Sequence, residues 1–473
     1  MKTPFIHENF LLENETARRL YYGVAVDLPI IDYHNHLPPD EIVQNVNYKN
    51  LTHIWLAGDH YKWRGMRACG VDEKFITGNA SDKEKFLAWA ETVPKTLKNP
   101  LYHWTHMELA FPFGINGRLL NGETAEEIWD ECNEMLQSPE FSTRSLLRQF
   151  RVEVVATTDD PTDSLEHHQA FQDEENRDFL MVPTFRPDAG MKVEHPDQFK
   201  SWVQKLESSS GKSISTFSDF LDAIKFRHDF FHKLGCRASD HGITEPFSDE
   251  FTDNQCEAVF QKALSGKSVS EQEERIFKSA FLYYCGLMDH EKEWVFQLHI
   301  GALRNNNSRM MEKLGPDTGF DSMGDFETAR PLSRLLDRMD RDNKLPRTVL
   351  YNNNPCDNEV FATMTGNFQN GTIPGKIQHG PPWWHLDQKN GIENQLEVIS
   401  NMAVLSEFIG MTTDSRSFLS FSRHDYFRRI LCNVIGNDAE KGLIPDDIDL
   451  LSHLIEKICY LNTKNYFRYD ESE

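Results

Sequence analysis

The sequence has few cysteines, and none of them lies close to another. Its eight cysteines are spread over 473 residues, and no two are separated by fewer than 20 positions. This spacing excludes a zinc ribbon and other sites built on paired cysteines. It also argues against a disulfide framework, which is typical of small secreted domains. We therefore expect free thiols in a reducing compartment.

Long apolar runs are absent as well. Charged residues interrupt every apolar run well short of the ~18 residues that a membrane-spanning helix needs. The N-terminal stretch MKTPFIHENFLLENETARRL lacks the apolar core of a signal peptide. The sequence therefore predicts a cytoplasmic protein with no membrane partner.

Basic residues are outnumbered by acidic ones. The chain has 50 lysines and arginines against 74 aspartates and glutamates, which gives a formal net charge of -24. Such a surface repels phosphate backbones, so a nucleic-acid partner is not expected. An acidic small substrate would also be repelled, unless the site that binds it were locally basic.

The sequence does contain eight short apolar runs, most of them rich in β-branched residues, that each end in polar side chains. Helix-forming stretches such as 164–173 and 328–341 lie between them. Strands that alternate with helices are typical of a parallel sheet, and eight such units predict an α/β fold of the (β/α)8 TIM-barrel type, with its active site at the carboxyl ends of the strands. The runs are 29–36, 152–160, 179–188, 235–242, 294–299, 348–355, 377–384 and 408–416.

The chain is longer than the about 250 residues of a plain barrel, and the spacing of the runs shows where the surplus lies. We assign residues 1–36 and 150–473 to the barrel, with a helical excursion around 200–290. Residues 37–149 are predicted to form a helical insertion domain after strand 1 that contributes to the active-site mouth.

The strongest local signal is the pair His34 and His36 at the end of the first run. Residues i and i+2 of a strand point to the same face, so the two imidazoles could bind one divalent metal, although a solvated surface pair has the same spacing. His299 ends the fifth run and Asp414 ends the eighth. In a closed barrel these ends meet, which makes a mononuclear zinc or manganese site with an open position plausible.

This order of ligands resembles the amidohydrolase superfamily, and the whole chain is similar to the uronate isomerases within it. The resemblance implies a barrel of the metal-dependent hydrolase type. No lysine ends the fourth run and no histidine ends the sixth, which favours one metal over two. The segment 380–384, Gly-Pro-Pro-Trp-Trp, departs from the glycine-rich lead that the family pattern suggests. The matching stretches are 31–37, 59–64, 185–188, 299–302 and 413–416.

The resemblance implies an aldose–ketose isomerase that converts D-glucuronate to D-fructuronate, and D-galacturonate to D-tagaturonate, in hexuronate catabolism. A uronate carries a carboxylate, so an acidic protein needs a local cation to bind it. Arg186 after the third run and Arg416 after the eighth could supply one, since arginine pairs with carboxylates in a bidentate manner. Each could instead pair with the nearby Asp188 or Asp414.

By the same resemblance, the insertion contributes His60, Tyr61 and Arg64 to the substrate site. We assign catalytic roles to Asp414, Arg416, Tyr61 and His60. Substrate binding is assigned to Arg186, Arg416, Arg64, His60 and Trp384, although Trp384 could equally pack in a loop.

Two alternatives use the same barrel. The first is a mononuclear metal-dependent hydrolase or deaminase, and the second is a sugar-binding scaffold without activity. The chemistry implies a small-molecule partner, and a homo-oligomer is possible.

Overall fold

The computed structural model describes residues 3–469, and its centre is a parallel β-barrel. Seven strands run parallel to one another in two sheets, with the orders β1-β2-β3 and β4-β5-β8-β9, while β6 and β7 form a separate antiparallel pair. The strands are β1 (Ile30–Asp32), β2 (Val152–Ala156), β3 (Leu180–Val182), β4 (Ala238–Ile243), β5 (Val295–Ile300), β6 (Ala302–Leu303), β7 (Ser322–Met323), β8 (Arg347–Asn352) and β9 (Ile377–His379).

The two parallel sheets are joined beyond the end of β3. Phe185 bridges Asp159 after β2 on one side and Ser239 in β4 on the other, both in the parallel sense. In the second sheet His299 of β5 pairs with Gly242 of β4. Seven of the eight predicted runs are therefore regular strands, and the carboxyl ends of β2, β3, β4 and β5 meet on one face.

The eighth run, 408–416, is predicted as a strand, and this prediction is wrong in that detail, because the segment forms no regular strand ladder. Gly410 adopts φ +69°, and a Cβ there would lie 2.2 Å from the Ile458 carbonyl oxygen, so the backbone turns at this close approach. The segment still closes the barrel against β1. Asp414 N donates to His34 O at 3.0 Å, and His36 N donates to Ser415 O at 2.9 Å.

Helices surround the strands as the alternation predicts. Predicted helices at 164–173 and 328–341 correspond to α8 and α14. No helix within 3–469 is both long and apolar enough to cross a membrane. The helices are α1 (Glu15–Gly23), α2 (Pro39–Gln44), α3 (His60–Ala68), α4 (Asp82–Thr92), α5 (Pro100–Ala110), α6 (Ala125–Leu136), α7 (Thr143–Gln149), α8 (Glu166–Gln172), α9 (Pro196–Ser210), α10 (Phe217–Lys233), α11 (Asp253–Leu264), α12 (Glu271–Glu291), α13 (Ser308–Leu314), α14 (Ala329–Asp340), α15 (Asn358–Gly366), α16 (Lys389–Met402), α17 (Ser422–Glu440), α18 (Ile448–Glu456) and α19 (Asn462–Phe467).

The segment between β1 and β2 carries α2 to α7, in the region where the sequence predicts a helical insertion. Its apolar side chains share one buried cluster with the barrel strands: Trp55 and Trp89 of the insertion belong to the same cluster as Ile30 of β1 and Val152 of β2. Apolar burial on this scale resists separation of the two parts. Helix α3 is therefore held firmly beside the barrel mouth. The domain limits themselves stay predictions.

Candidate active site

Four side chains from distant parts of the sequence meet at the barrel mouth. His34 and His36 follow β1, His299 lies in β5, and Asp414 lies in the last barrel segment, 408–416. Nε2 of His34 and Nε2 of His36 each lie 3.1 Å from Asp414 Oδ1. The ring centres of His34 and His299 are 4.5 Å apart. The structure thus brings together the residues that the sequence predicts as metal ligands.

His299 is held in one orientation by two neighbours. Its Nδ1 lies 2.6 Å from Oδ1 of Asp240, and its ring stacks on Tyr351 at a centroid distance of 3.9 Å. Its other nitrogen, Nε2, is buried and has no hydrogen-bond partner within residues 3–469. A carboxylate that fixes one imidazole nitrogen and leaves the other available is the usual environment of a metal-binding histidine.

Within the described part of the chain, two overlapping groups could hold a metal ion. One comprises His34, Asp240 and His299, and the other comprises His34, His36 and Asp414, with ligand atoms in each group within 4.8 Å of one another. Imidazole and carboxylate donors suit zinc and other divalent transition metals. The residues present, including the buried and unpartnered His299 Nε2, therefore fit a divalent metal.

The charge states of Asp414 and His36 also suit metal binding. Burial raises the pKa of Asp414, but hydrogen bonds from His34 and His36 outweigh this and hold it well below its ordinary value. Burial lowers the pKa of His36 to about 4, against the opposing influence of Asp414. At neutral pH the carboxylate is ionised and His36 is neutral, which are the forms that bind metals.

Asp32, at the end of β1, ties this strand to the last barrel segment, and sequence reasoning missed it. Its carboxylate is fully buried and accepts hydrogen bonds from Thr412 Oγ1 at 2.7 Å, Thr413 N at 2.7 Å and Thr413 Oγ1 at 2.6 Å. These bonds fix the segment that precedes Asp414 against the strand that precedes His34. A buried carboxylate is retained at such cost only when it is fully hydrogen-bonded.

Arg186 lies between two carboxylates. Its Nε donates to Asp188 Oδ2 at 2.9 Å, and its Nη1 lies 3.1 Å from Asp240 Oδ2. Asp240 therefore contacts both the predicted ligand His299 and the predicted carboxylate-binding arginine. Of the two neighbours Asp240 and His241 in β4, only Asp240 points into the barrel. His241 lies on the other side of β4, 3.0 Å from Ser239 Oγ.

Arg186 lines a cavity at the barrel mouth that has a volume of about 770 Å³. Two further arginines, Arg304 and Arg416, line the same cavity. Arg416 was predicted and makes no hydrogen bond or ion pair within residues 3–469 that would neutralise it. Arg304 was missed, because it lies in the loop after β6 and no motif marks it. Its guanidinium lies 4.8 Å from the Trp384 ring centre and pairs with Asp317 at 3.2 Å. The acidic protein thus places three arginines, Arg186, Arg304 and Arg416, along one cavity.

Helix α3 of the insertion places His60 and Tyr61 at the cavity. The helix begins at His60 and is capped by Asp59, whose Oδ1 accepts hydrogen bonds from Tyr61 N and Lys62 N at 3.0 Å each. Burial and then the charge of Arg416 lower the pKa of His60. Burial raises the pKa of Tyr61 well above its ordinary value. At neutral pH both side chains are therefore uncharged.

Two predicted substrate-binding residues have partners of their own. Arg64 Nη1 donates to Asp321 O at 2.5 Å and borders a separate surface groove rather than the large cavity. Trp384 lines the cavity, with Arg304 over its ring and His60 edge-on at 6.4 Å. The neighbouring Trp383 Nε1 donates to Asp414 Oδ2 at 2.9 Å.

The whole sequence, including the residues of the cavity, is similar to those of known proteins. Residues 1–467 match the glucuronate isomerase family. A curated uronate isomerase of Phocaeicola vulgatus is 53% identical over 467 residues, which cover 98% of this chain and 99% of the relative.

Solved structures agree with the sequence comparison. The uronate isomerase of Thermotoga maritima superposes with a TM-score of 0.92 at 38% identity, covering 98% of this chain and 99% of that one. The glucuronate isomerase of Caulobacter crescentus gives a TM-score of 0.91 at 25% identity, covering 99% of this chain and 98% of that one. Both likenesses span the barrel and the insertion. The chain therefore belongs to the glucuronate isomerase family.

Proposed function

We propose that this protein is an aldose–ketose isomerase of hexuronates. It converts D-glucuronate to D-fructuronate and D-galacturonate to D-tagaturonate, the reaction class EC 5.3.1.12. The observation that carries the proposal is one cavity, in a chain of this family, that combines a His and Asp cluster with Arg186 and Arg416.

The two arginines account for the choice of substrate. A uronate differs from a neutral hexose by its carboxylate, and arginine binds carboxylates through charge-assisted hydrogen bonds. Asp188 and Asp240 orient the Arg186 guanidinium, while Arg416 has no carboxylate partner within the described residues. Arg416 therefore offers an uncompensated positive charge, and Arg186 offers a fixed one.

We propose that His34, His36, His299 and Asp414 hold one divalent metal, with zinc as the first choice and manganese as the second. Such an ion, when bound, stabilises negative charge that develops on the oxygens of the reacting carbons. Asp240 orients His299 for this role, and Asp32 fixes the backbone on either side of the site.

The isomerisation opens the sugar ring and moves hydrogen between C2 and C1. Transfer of a proton through an enediolate needs a base near C2 and cations near the two oxygens. Asp414 is ionised and can take up the proton, with Trp383 orienting its second oxygen. Arg416 stabilises the anionic enediolate. Tyr61 and neutral His60 exchange protons with the sugar hydroxyls.

The alternative functions fit less well. A hydrolase or deaminase on this barrel would use the same histidines, but it has no evident need for two arginines beside them, and the family comparison does not favour it. A scaffold without activity would not need the ionised Asp414 beside neutral His36. The partner that we propose for this protein is a small-molecule uronate, and we expect no nucleic-acid partner. A homo-oligomer and a cytoplasmic location stay predictions.

The direct test is to incubate the purified protein, loaded with zinc or with manganese, with D-glucuronate and with D-galacturonate and to assay ketose formation. D-Glucose is the matched control, because it has the same ring without the carboxylate. We expect turnover of at least one uronate and little of glucose. Efficient isomerisation of glucose, or no ketose from either uronate with any divalent metal, would contradict the proposal.

A further inference from the structure

A buried carboxyl group that none of the roles above uses lies just after β2. Asp159 borders the same cavity as His34, Arg186 and Arg416, and its side chain is 8% exposed. Its backbone is fixed on both sides, since Asp159 N donates to Thr184 O at 3.0 Å and Arg186 N donates to Asp159 O at 2.9 Å. The carboxyl group is therefore a rigid part of the cavity wall.

A chain of hydrogen bonds ends on one oxygen of this carboxyl group. Thr157 Oγ1 donates to Asp159 Oδ2 at 2.7 Å, and His168 Nε2 lies 2.8 Å from the same hydroxyl. Because the hydroxyl has given its only hydrogen to Asp159, His168 must act as the donor toward it. Burial lowers the pKa of His168 to about 3, which leaves a neutral ring with a single N–H for this bond.

The other oxygen, Oδ1, makes no hydrogen bond to any residue in the range 3–469. Since Oδ2 already accepts from Thr157, a proton on Asp159 belongs on Oδ1, beside the cavity. Burial raises the pKa of Asp159 to about 7, and the charge of Asp163 adds to this.

Other ionisable groups around Asp159 are accounted for. Asp160 also borders the cavity, and its carboxylate accepts from Trp202 Nε1. Arg186 of the neighbouring strand end is held by its two carboxylates, and Lys192 lies on the same cavity wall. No group within the described residues forms an ion pair with Asp159 other than the neutral His168.

We propose that Asp159 binds the hexuronate as a neutral carboxylic acid, donating a hydrogen bond from Oδ1 to an oxygen of the sugar. This inference rests on the proposed function and deepens it, because it names a substrate-binding group of the same cavity. The ionised carboxylate lacks that hydrogen and would repel the uronate anion. Substrate binding should therefore weaken as the proton is lost.

The test uses Asp159→Asn and Asp159→Ala in the full-length, metal-loaded protein, with KM for D-glucuronate measured from pH 6 to 9. The asparagine amide copies the neutral acid: its oxygen can accept from Thr157 and its NH2 can donate to the sugar at every pH. For the unaltered protein we expect KM to rise about tenfold per pH unit above the transition, since only the protonated fraction binds.

Asp159→Asn should keep KM close to its low-pH value and remove this rise. Asp159→Ala should raise KM about 3- to 10-fold at pH 6.5, as for one lost neutral hydrogen bond, with a smaller change in kcat. Asp163→Asn is the matched control, because it removes the neighbouring charge and should move the transition to lower pH.

Three results would overturn the inference: a flat KM profile for the unaltered protein, an unchanged rise in Asp159→Asn, or equal losses in the asparagine and alanine variants at pH 6.5. Turnover of D-glucuronate by the unaltered protein distinguishes a failure of the proposed function from a failure of the role of Asp159. If it is absent, the proposed function fails. If it is present while the asparagine variant still follows the unaltered pH profile, only the role of Asp159 fails.

Discussion

At the scale of single residues, Gly242 shows how one missing side chain shapes the site. A Cβ at this position would lie 2.6 Å from Arg186 Nη2 and 3.2 Å from Asp188 Oδ2. Gly242→Ala should therefore displace the guanidinium that we expect to bind the substrate carboxylate. A lost charge-assisted contact is worth about 1.5–3 kcal/mol, so KM for D-glucuronate should rise roughly 10- to 150-fold with a smaller change in kcat.

The control for that variant is Gly366→Ala, where the added Cβ meets no atom within 4 Å. It should leave steady-state kinetics unchanged. An unaltered KM in Gly242→Ala, in a protein that is still folded by circular dichroism, would remove Arg186 from the carboxylate site.

The histidine ligands give a second prediction at this scale. His34→Ala and His36→Ala should each lower bound metal, because the site loses one of few neutral imidazole donors. The barrel core should persist, since the two side chains lie at its mouth. Metal analysis and thermal unfolding of the purified variants check this, with the exposed His453→Ala as control. Full metal occupancy in both variants would contradict the ligand assignment.

At the scale of elements, the first turn of α3 positions two proposed catalytic groups. Asp59 caps the helix and also pairs with the buried Lys62, whose Nζ lies 2.6 Å from Oδ2. Asp59→Ala removes the cap, which costs about 1 kcal/mol of the free energy of unfolding. Among residues 3–469 it leaves Lys62 with Glu108, at 3.4 Å, as its one remaining carboxylate.

Asp59→Asn is the informative partner variant, because asparagine keeps the cap and loses the charge. We expect the alanine variant to lose both stability and kcat, and the asparagine variant to lose stability but keep most of its kcat. Denaturant unfolding and steady-state kinetics measure the two effects. Equal kcat losses in both variants would show that the cap does not position His60 and Tyr61.

The elements also show how far the sequence could be interpreted. The helix predicted at 328–341 is correct, because an amphipathic pattern and local helix formers agree there. The run 408–416 failed as a regular strand, since the turn at Gly410 depends on a close approach by Ile458, which is distant in sequence. Asp240 could not be separated from His241, because which of them points inward depends on the register of β4 against β5.

At the scale of the whole molecule, three parts of the chain enclose the site. The barrel supplies the histidines and Asp414, the insertion supplies His60 and Tyr61, and the loop after β6 supplies Arg304. Two arginines of the insertion hold that loop: Arg64 donates to Asp321 O, and Arg67 Nη1 donates to Thr318 O at 2.5 Å. The sequence indicates His60, Tyr61 and Asp414 as residues of the cavity. It indicates neither Arg304 nor the contact between insertion and loop, because no pattern links them.

The side chains that line the cavity indicate how hydrogen moves between C2 and C1. A direct hydride shift usually calls for more carboxylate ligands than Asp414 alone, whereas a cavity rich in histidine and arginine suits an anionic enediolate. We therefore expect proton transfer, with Asp414 as the base.

In deuterium oxide the ketose should carry solvent deuterium at C1, and a substrate deuterated at C2 should lose label to ordinary water. Asp414→Asn should slow turnover at least about 10²-fold. The bound metal of this variant is measured alongside, so that a loss of activity caused by loss of the ion is recognised. Complete retention of the C2 label at C1, together with no uptake from deuterium oxide, would point to a hydride shift or to a proton fully shielded from solvent.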